Sequence, residues 1–265
     1  LAEKSFCESD PTCGMWGILD QQTAMKWIQN NIADFGGDPT KVTIFGESAG
    51  GMSVIIQVAQ NETQGLFQQG IVESGVSDGY PNLAAADLIS SSLASSLGCF
   101  VNVSVPEGHI LRSCMRSEDA ENILRNQKNA CGDATNCWWP VINEHNLIDQ
   151  PIDMIATGNY NQVPMMIGCN GNEGYIFALA FIPVRTESKY EKIIMDSFGD
   201  FGELVLAEYP ASDYSDYFVG IENMIADVLF TSTVNYLVEA MTNENTLDPR
   251  IHLYLFNHTP SWIIQ

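Results

Sequence analysis

KVTIFGESAGGMSV (residues 41–54) sets Ser48 among glycines directly after a short apolar, β-branched run. VTIF is bounded on both sides and reads as a buried parallel strand. AGGMSVIIQVAQ (49–60) can then run as a helix straight out of the turn. Gly46-Glu47-Ser48-Ala49-Gly50 therefore fits G-x-S-x-G in the strand–turn–helix setting that gives the pattern its meaning. Such a turn projects a serine hydroxyl from strained backbone while neighbouring chain passes close by. A side chain at 46 or 50 is expected to clash there, and glycine removes the clash. The following helix aims its N-terminus at the hydroxyl, so the Ala49 amide is placed to donate to an oxyanion. The plain alternative is a glycine-rich βα turn with an incidental serine. The strand before, the helix after and the further Gly51 weigh against it.

Outward from this turn, strand and helix patterns alternate. ILDQQTAMKWIQNNIADF (18–35) places Leu19, Met25, Ile28, Ile32 and Phe35 at helical intervals, and GGDPTK ends that helix. GIVESG (70–75), PMMIGCN (164–170) and HLYLFN (252–257) read as further strands. Residues 83–97, 106–128, 186–209 and 217–243 read as mainly helical. Strands alternating with helices predict an α/β class: a mostly parallel sheet with helices on both faces. No repeat or low-complexity linker interrupts the chain, which is expected to be a single domain over 1–265.

The chain has 265 residues, 45% of them hydrophobic, enough for a sizeable core. It carries 11 basic and 33 acidic residues, a formal charge of −22. A surface of that sign repels phosphate backbones and anionic lipid heads, which argues against nucleic acid as a partner. No apolar run reaches the length of a membrane span. LAEKSFCESD at the start and FNHTPSWIIQ at the end both read as mid-domain sequence, so the chain is expected to be a central portion truncated at both ends.

Cys7/Cys13, Cys99/Cys114 and Cys131/Cys137 are close in sequence, and Cys169 stands alone in an apolar run. No pair has C-x-x-C spacing and no histidine stands at a zinc-ligand interval, so no metal or other cofactor is expected. Three short disulfide loops and one buried free thiol are the economical reading. Sequons at Asn61 (NET), Asn102 (NVS) and Asn257 (NHT) agree with an oxidising, secreted or lumenal route.

FGGDPTKVTIFGESAGGMSV resembles the signature of the type-B carboxylesterases, a family of the α/β-hydrolase fold that includes cholinesterases, bile-salt-type lipases and fungal lipases. GILDQQTAMKWIQNNI, LFQQGIVESG, WWPVINEHNLIDQP, VPMMIGCNGNEGYIF and YLFNHT continue the likeness over nearly the whole chain. The resemblance implies Ser48 as nucleophile and Glu173, in GCNGNEG, as the acid. It further implies Ala49 as one oxyanion donor and Glu47 as an acidic neighbour near substrate. A Cys99–Cys114 disulfide loop is also found in many members. Glu173 has its own case, since it follows a strand on a glycine-rich loop and keeps the chain order nucleophile, acid, base. The family's Gly-Gly oxyanion segment would lie before Leu1 and its catalytic histidine just past Gln265. Among the four histidines present, His109 and His145 precede Glu173 and break the order. His252 begins a strand, and His258 is the runner-up base.

The resemblance implies a serine carboxylic-ester hydrolase working through an acyl-enzyme, on a small-molecule or lipid ester. Residues 1–265 alone are expected to be a poor catalyst. The alternative is a catalytically silent adhesion or interaction module. Trp138 and Trp139 could wall a site for a choline-like cation, but large aromatics mostly serve burial, and packing is the expectation. The sequence carries no signal for oligomeric state.

Overall fold

The computed structural model describes residues 2–8, 10–99, 107–131, 137–242 and 250–258. The Asn102 sequon lies outside the described residues. In chain order the first elements are α1 (Lys4–Cys7), α2 (Trp16–Asn31), β1 (Thr43–Glu47), α3 (Ala49–Ala59) and β2 (Gln69–Glu73). Next come α4 (Leu83–Ser96), α5 (Glu107–Ser117), α6 (Ala120–Cys131), α7 (Pro151–Ala156) and β3 (Met165–Asn170). The last are α8 (Tyr175–Ala178), α9 (Glu187–Phe198), α10 (Gly202–Glu208), α11 (Tyr217–Ala226), α12 (Ser232–Met241) and β4 (Ile251–Phe256). Two compact units contain them. One is drawn from the segments up to Val42, Ile56–Gln68 and Asp78–Gln162; the other from Thr43–Ile55, Gln69–Ser77 and the chain from Val163 onward.

The second unit holds the sheet, four parallel strands in the order β1-β2-β3-β4. Val72, Met165, Ile167 and Cys169 are buried on one face, where the Met165 thioether fills the space that a side chain at Gly70 would need. The opposite face carries Phe45, 72% exposed, with Met166 and Phe256. In strand register Glu47 stands opposite Glu73, Glu73 opposite Gly168, and Gly168 opposite Tyr254. The strand ends that follow Glu47, Glu73 and Asn170 therefore lie side by side. Beyond the sheet, α9 and α11 pack around the fully buried Tyr190 with Ile194, Ile221 and Met224. Tyr190 donates its hydroxyl to the Tyr209 carbonyl at 2.9 Å, and burial pushes the phenol up to about 12. The starts of α9 and α11 are capped by Thr186, accepting from the Lys189 amide, and Asp216, accepting from the Phe218 amide.

The first unit is helical. One cluster joins Met15, Ile18, Ile56, Ala59, Leu147 and Met154; another joins Phe6, Leu93, Cys99 and Met115. Trp138 packs on the second cluster, while Trp139, 38% exposed, meets Tyr80 edge-on at 6.3 Å. The three disulfides are formed as the spacing suggested, Cys7–Cys13, Cys99–Cys114 and Cys131–Cys137, with Cα separations of 5.1, 5.6 and 5.4 Å. In the other unit Cys169 is free and buried. The Cys99 and Cys114 sulfurs, with Glu118, form a possible metal-ligand cluster among the described residues, but a disulfide offers no thiolate. No helix among those residues is long and apolar enough to cross a membrane.

The apolar face expected for residues 18–35 requires correction. The helix buries Ile18, Gln22 and Met25, while Phe35 is 71% exposed beside Trp27, ring centroids 5.7 Å apart. Two causes act. The helix stops at Asn31 and continues as a tighter 3₁₀ turn over Ile32–Phe35, which rotates the last residues off the buried stripe. Gln22 takes a buried position because its amide donates to the Gln60 side-chain oxygen, a pairing that an apolar pattern does not reveal.

Asp10 organises the first disulfide loop. Its carboxylate accepts from the Thr12 hydroxyl at 2.6 Å, the Thr12 amide at 2.9 Å and the Trp16 indole at 3.3 Å. The Thr12 hydroxyl and then its amide hold the carboxyl below its ordinary value. A depressed folded-state pKa contributes stability that is present above about pH 4 and lost as pH falls through the folded value. Asp10→Asn should therefore show a shallower fall in melting temperature between about pH 5 and pH 3 than the parent protein. Equal slopes in pH-resolved melting curves would refute the role.

Candidate active site

β1 delivers the chain to Ser48, whose φ of 53° lies in the left-handed region that non-glycine residues rarely adopt. The strain, on the order of 1–3 kcal/mol, needs surrounding structure to hold it. Two backbone bonds do so: the Ser48 amide donates to the Glu73 carbonyl at 2.9 Å, and the Ser48 carbonyl accepts from the Met52 amide at 3.0 Å. Ser48 is exposed between the exposed Glu47 and Ala49. Ala49 opens α3, so its amide has no acceptor within the helix.

The glycines around the turn separate by role. A Cβ at Gly46 would overlap the backbone carbonyl of Gly50. A Cβ at Gly50 would meet nothing within 4 Å, so the clash expected at residue 50 is absent. What must be small at residue 46 is required by the backbone of residue 50, not by its side chain. The second tight position is Gly51, where a Cβ would come 2.9 Å from Gly75 Cα and 3.1 Å from the Gly46 carbonyl oxygen. Gly75 returns the constraint: a Cβ there would overlap the Ser48 carbonyl and sit 2.6 Å from Gly51 Cα.

A second serine follows the same geometry. Ser74, directly after β2, has φ 51°, is buried, and donates its amide to the Gly168 carbonyl at 2.8 Å. Its hydroxyl donates to Glu173 Oε1. The Asn170 amide at 2.7 Å and the Asn170 side-chain amide at 3.0 Å donate to the same oxygen. Three donors converge on Oε1, and among the described residues none reaches Oε2. Ser48 exits β1 and Glu173 sits on the loop after β3, two strands over, with Ser74 at the end of the intervening β2. Sequence reasoning overlooked Ser74. Its signal was the repetition of the elbow pattern, a short strand ending in Glu-Ser-Gly (73–75) after Glu-Ser-Ala-Gly (47–50).

The histidines are placed as follows. His252 lies on β4, and His145 has its amide bound by the Asn143 side chain at 3.1 Å in the first unit. His258 is exposed beyond β4 with its ring edge-on to Phe256 at 6.3 Å, and among the described residues no hydrogen bond joins it to Glu173. Asn61 is exposed at a 3₁₀ turn, and Asn257 is exposed with its amide against Gly171.

A parallel sheet whose first strand breaks into a helix at a strained serine, with a carboxylate on the loop two strands over, is the α/β-hydrolase arrangement. The chain belongs to the carboxylesterase family, whose model matches residues 6–265. It is similar to the human protein named cocaine esterase, 31% identical over 266 residues, 94% of this chain and 45% of that protein. It is similar to an acetylcholinesterase of Leptinotarsa decemlineata, 30% identical over 274 residues, 96% of this chain and 43% of that protein. It is similar too to the crystal protein of Dictyostelium discoideum, 32% identical over 247 residues, 88% of this chain and 44% of that protein. The chain thus spans less than half the length of these curated relatives.

Two expectations follow from the packing. Gly50→Ala should leave stability unchanged or raise it by about 0.5–1 kcal/mol through helix propensity, whereas Gly51→Ala should cost several-fold more than that gain. Equal effects in denaturant melts would contradict the separation of roles. Ser74→Ala should cost about 1.5–3 kcal/mol, the value of a hydrogen bond to a charged group, and Ser74→Gly should cost less because glycine adopts positive φ without strain. A glycine variant weaker than the alanine variant in the same melts would show that the φ of Ser74 is not strained.

Proposed function

We propose that the whole protein is a serine carboxylic-ester hydrolase acting through an acyl-enzyme. The observation that carries this reading is the exposed Ser48 at φ 53° on the β1–α3 turn, two strands over from the loop whose carboxylate Ser74 and Asn170 fix in place. An imidazole between them takes the proton from Ser48 Oγ as that oxygen attacks the ester carbonyl. The Ala49 amide donates to the oxyanion of the tetrahedral intermediate. The alcohol departs with the proton from the imidazolium, and water repeats the sequence to release the acid. Glu173 Oε2, free of the donors on Oε1, accepts from the imidazole and stabilises its charged form. Glu47, exposed beside the nucleophile, adds negative charge where substrate arrives.

The three disulfides support a secreted or lumenal setting, and the exposed side chains of Asn61 and Asn257 are accessible to a glycan. The substrate class is a small-molecule or lipid ester.

A fluorophosphonate probe tests the mechanism. The whole protein should form a stoichiometric adduct that peptide mass spectrometry places on Ser48, and Ser48→Ala should abolish it. Glu173→Gln should lower kcat on the order of 10²- to 10⁴-fold on a p-nitrophenyl ester, the scale seen when a triad acid is replaced. No adduct on folded protein would mean that the chain serves binding without chemistry.

A further inference from the structure

Residues 217–241 form a nearly continuous helical run, α11 into α12, interrupted by a π turn over Asp227–Thr231. Its five-residue spacing is explicit: the Ser232 amide donates to the Asp227 carbonyl, and the Thr231 hydroxyl donates to the Ala226 carbonyl at 3.4 Å. π turns are rare and less favourable than α-helix, so something must hold this one.

The run lies against the segment that carries Glu173. The Phe218 ring meets Tyr175 edge-on at 5.7 Å. The Glu222 carbonyl abuts Gly174 so closely that a Cβ at 174 would overlap it. Phe230 meets Phe177 at 5.6 Å, and the Thr231 hydroxyl lies by the Cys169 thiol, whose ionised form it favours. These contacts bracket the Glu173 loop from Cys169 near the end of β3 to α8 beyond it.

The π turn decides which residues reach. At about 100° per residue, the stripe begun by Phe218 and Glu222 would continue through Leu229 in an unbroken helix, and Phe230 would point about 100° away. The turn absorbs one residue, so Phe230 takes the place of Leu229, and Leu229 is exposed. On the outer side, the Tyr209 hydroxyl donates to Asp227 Oδ2 at 2.8 Å. Tyr209 is in turn fixed by Tyr190, whose hydroxyl donates to the Tyr209 carbonyl. Burial and the Asp227 carboxylate both push the Tyr209 phenol up, so it stays a donor at every ordinary pH.

We propose that the π turn Asp227–Thr231 is the clamp that fixes the Glu173 loop, and that Asp227, held by Tyr209, is a positioning residue for the acid. The proposal rests on the reading of Glu173 as the acid. Without the Tyr209–Asp227 bond the run relaxes toward regular helix, Phe230 and Thr231 leave the loop, and Glu173 loses its aim while remaining chemically intact.

The test uses two readouts in the whole protein. The first is the rate at which iodoacetamide alkylates Cys169 under native conditions, since this buried thiol lies under Thr231. Asp227→Ala should raise that rate at least tenfold. Tyr209→Phe, a smaller change that removes the same bond from the other side, should also raise it. Asp227→Asn keeps an oxygen that accepts from Tyr209 and should restore the slow rate. The second readout is ester hydrolysis, where Asp227→Ala should lower kcat on the order of tenfold with KM unchanged, as expected for misaligned rather than missing machinery. Slow alkylation in folded Asp227→Ala and Tyr209→Phe overturns the clamp. Fast alkylation with unchanged kcat overturns its link to catalysis. Glu173→Gln with parental turnover overturns the acid reading instead, and leaves the alkylation result to decide the clamp.

Discussion

Three backbone segments meet almost in contact at Gly46, Gly51 and Gly75, and the candidate site depends on that approach. β1 can fold back into α3 within a single residue only because nothing projects from Gly46 toward residue 50 or from Gly51 toward residue 75. The strain this places on Ser48 is balanced by its amide bond to β2, and Ser74 is held in the same way by its amide bond to β3. Each strand is thus anchored at its exit to the next one, and two serines with positive φ stand side by side. The parallel register makes this possible, since it brings the ends of neighbouring strands together at one edge of the sheet.

The carboxylate is fixed by a different means. Glu173 sits on a loop rather than in an element, and a loop residue is aimed only as well as its partners allow. Two partners lie within the loop's own neighbourhood, the amide and side chain of Asn170, and the third is the strained Ser74. The convergence of all three on one oxygen has a chemical consequence. That oxygen is saturated as an acceptor, so a further donor has only the other to reach, and the carboxylate cannot rotate to offer either oxygen indifferently.

Much of this was legible in the sequence. VTIFGESAGG announced strand, turn and helix, because β-branched residues, paired glycines and a helix-forming run fix local geometry with little help from the rest of the chain. The four strands and the disulfide pairs were equally local signals. What escaped was set by contacts distant in sequence. Gly50 and Gly51 look interchangeable in GESAGG, and only the passage of residue 75 distinguishes them. Ser74 is an unremarkable serine until β3 delivers Glu173 beside it. The burial of Gln22 required Gln60 across the fold, and the exposure of Phe35 followed from a change of helix type that apolar periodicity does not encode.

The acidity of the chain bears on how its parts are held. With 33 acidic residues against 11 basic ones, few carboxylates can find a cation, and the ion pairs of Asp38, Glu121 and Asp196 with Lys41, Arg125 and Lys192 are all exposed. Exposed pairs of this kind contribute little to stability, since solvent screens them. The two units meet this differently. The first has three disulfides closing loops of 6 and 15 residues, which raise the free energy of the unfolded chain and act whatever the surface charge. The second, among the described residues, has none. Its order comes from the sheet ladder, from the apolar cluster around Tyr190, and from carboxylates such as Asp216, Asp227 and Glu173 placed to accept hydrogen bonds from neutral donors. A neutral donor satisfies a carboxylate without needing a cation, which is how a strongly acidic chain can keep charge at its site and still position it.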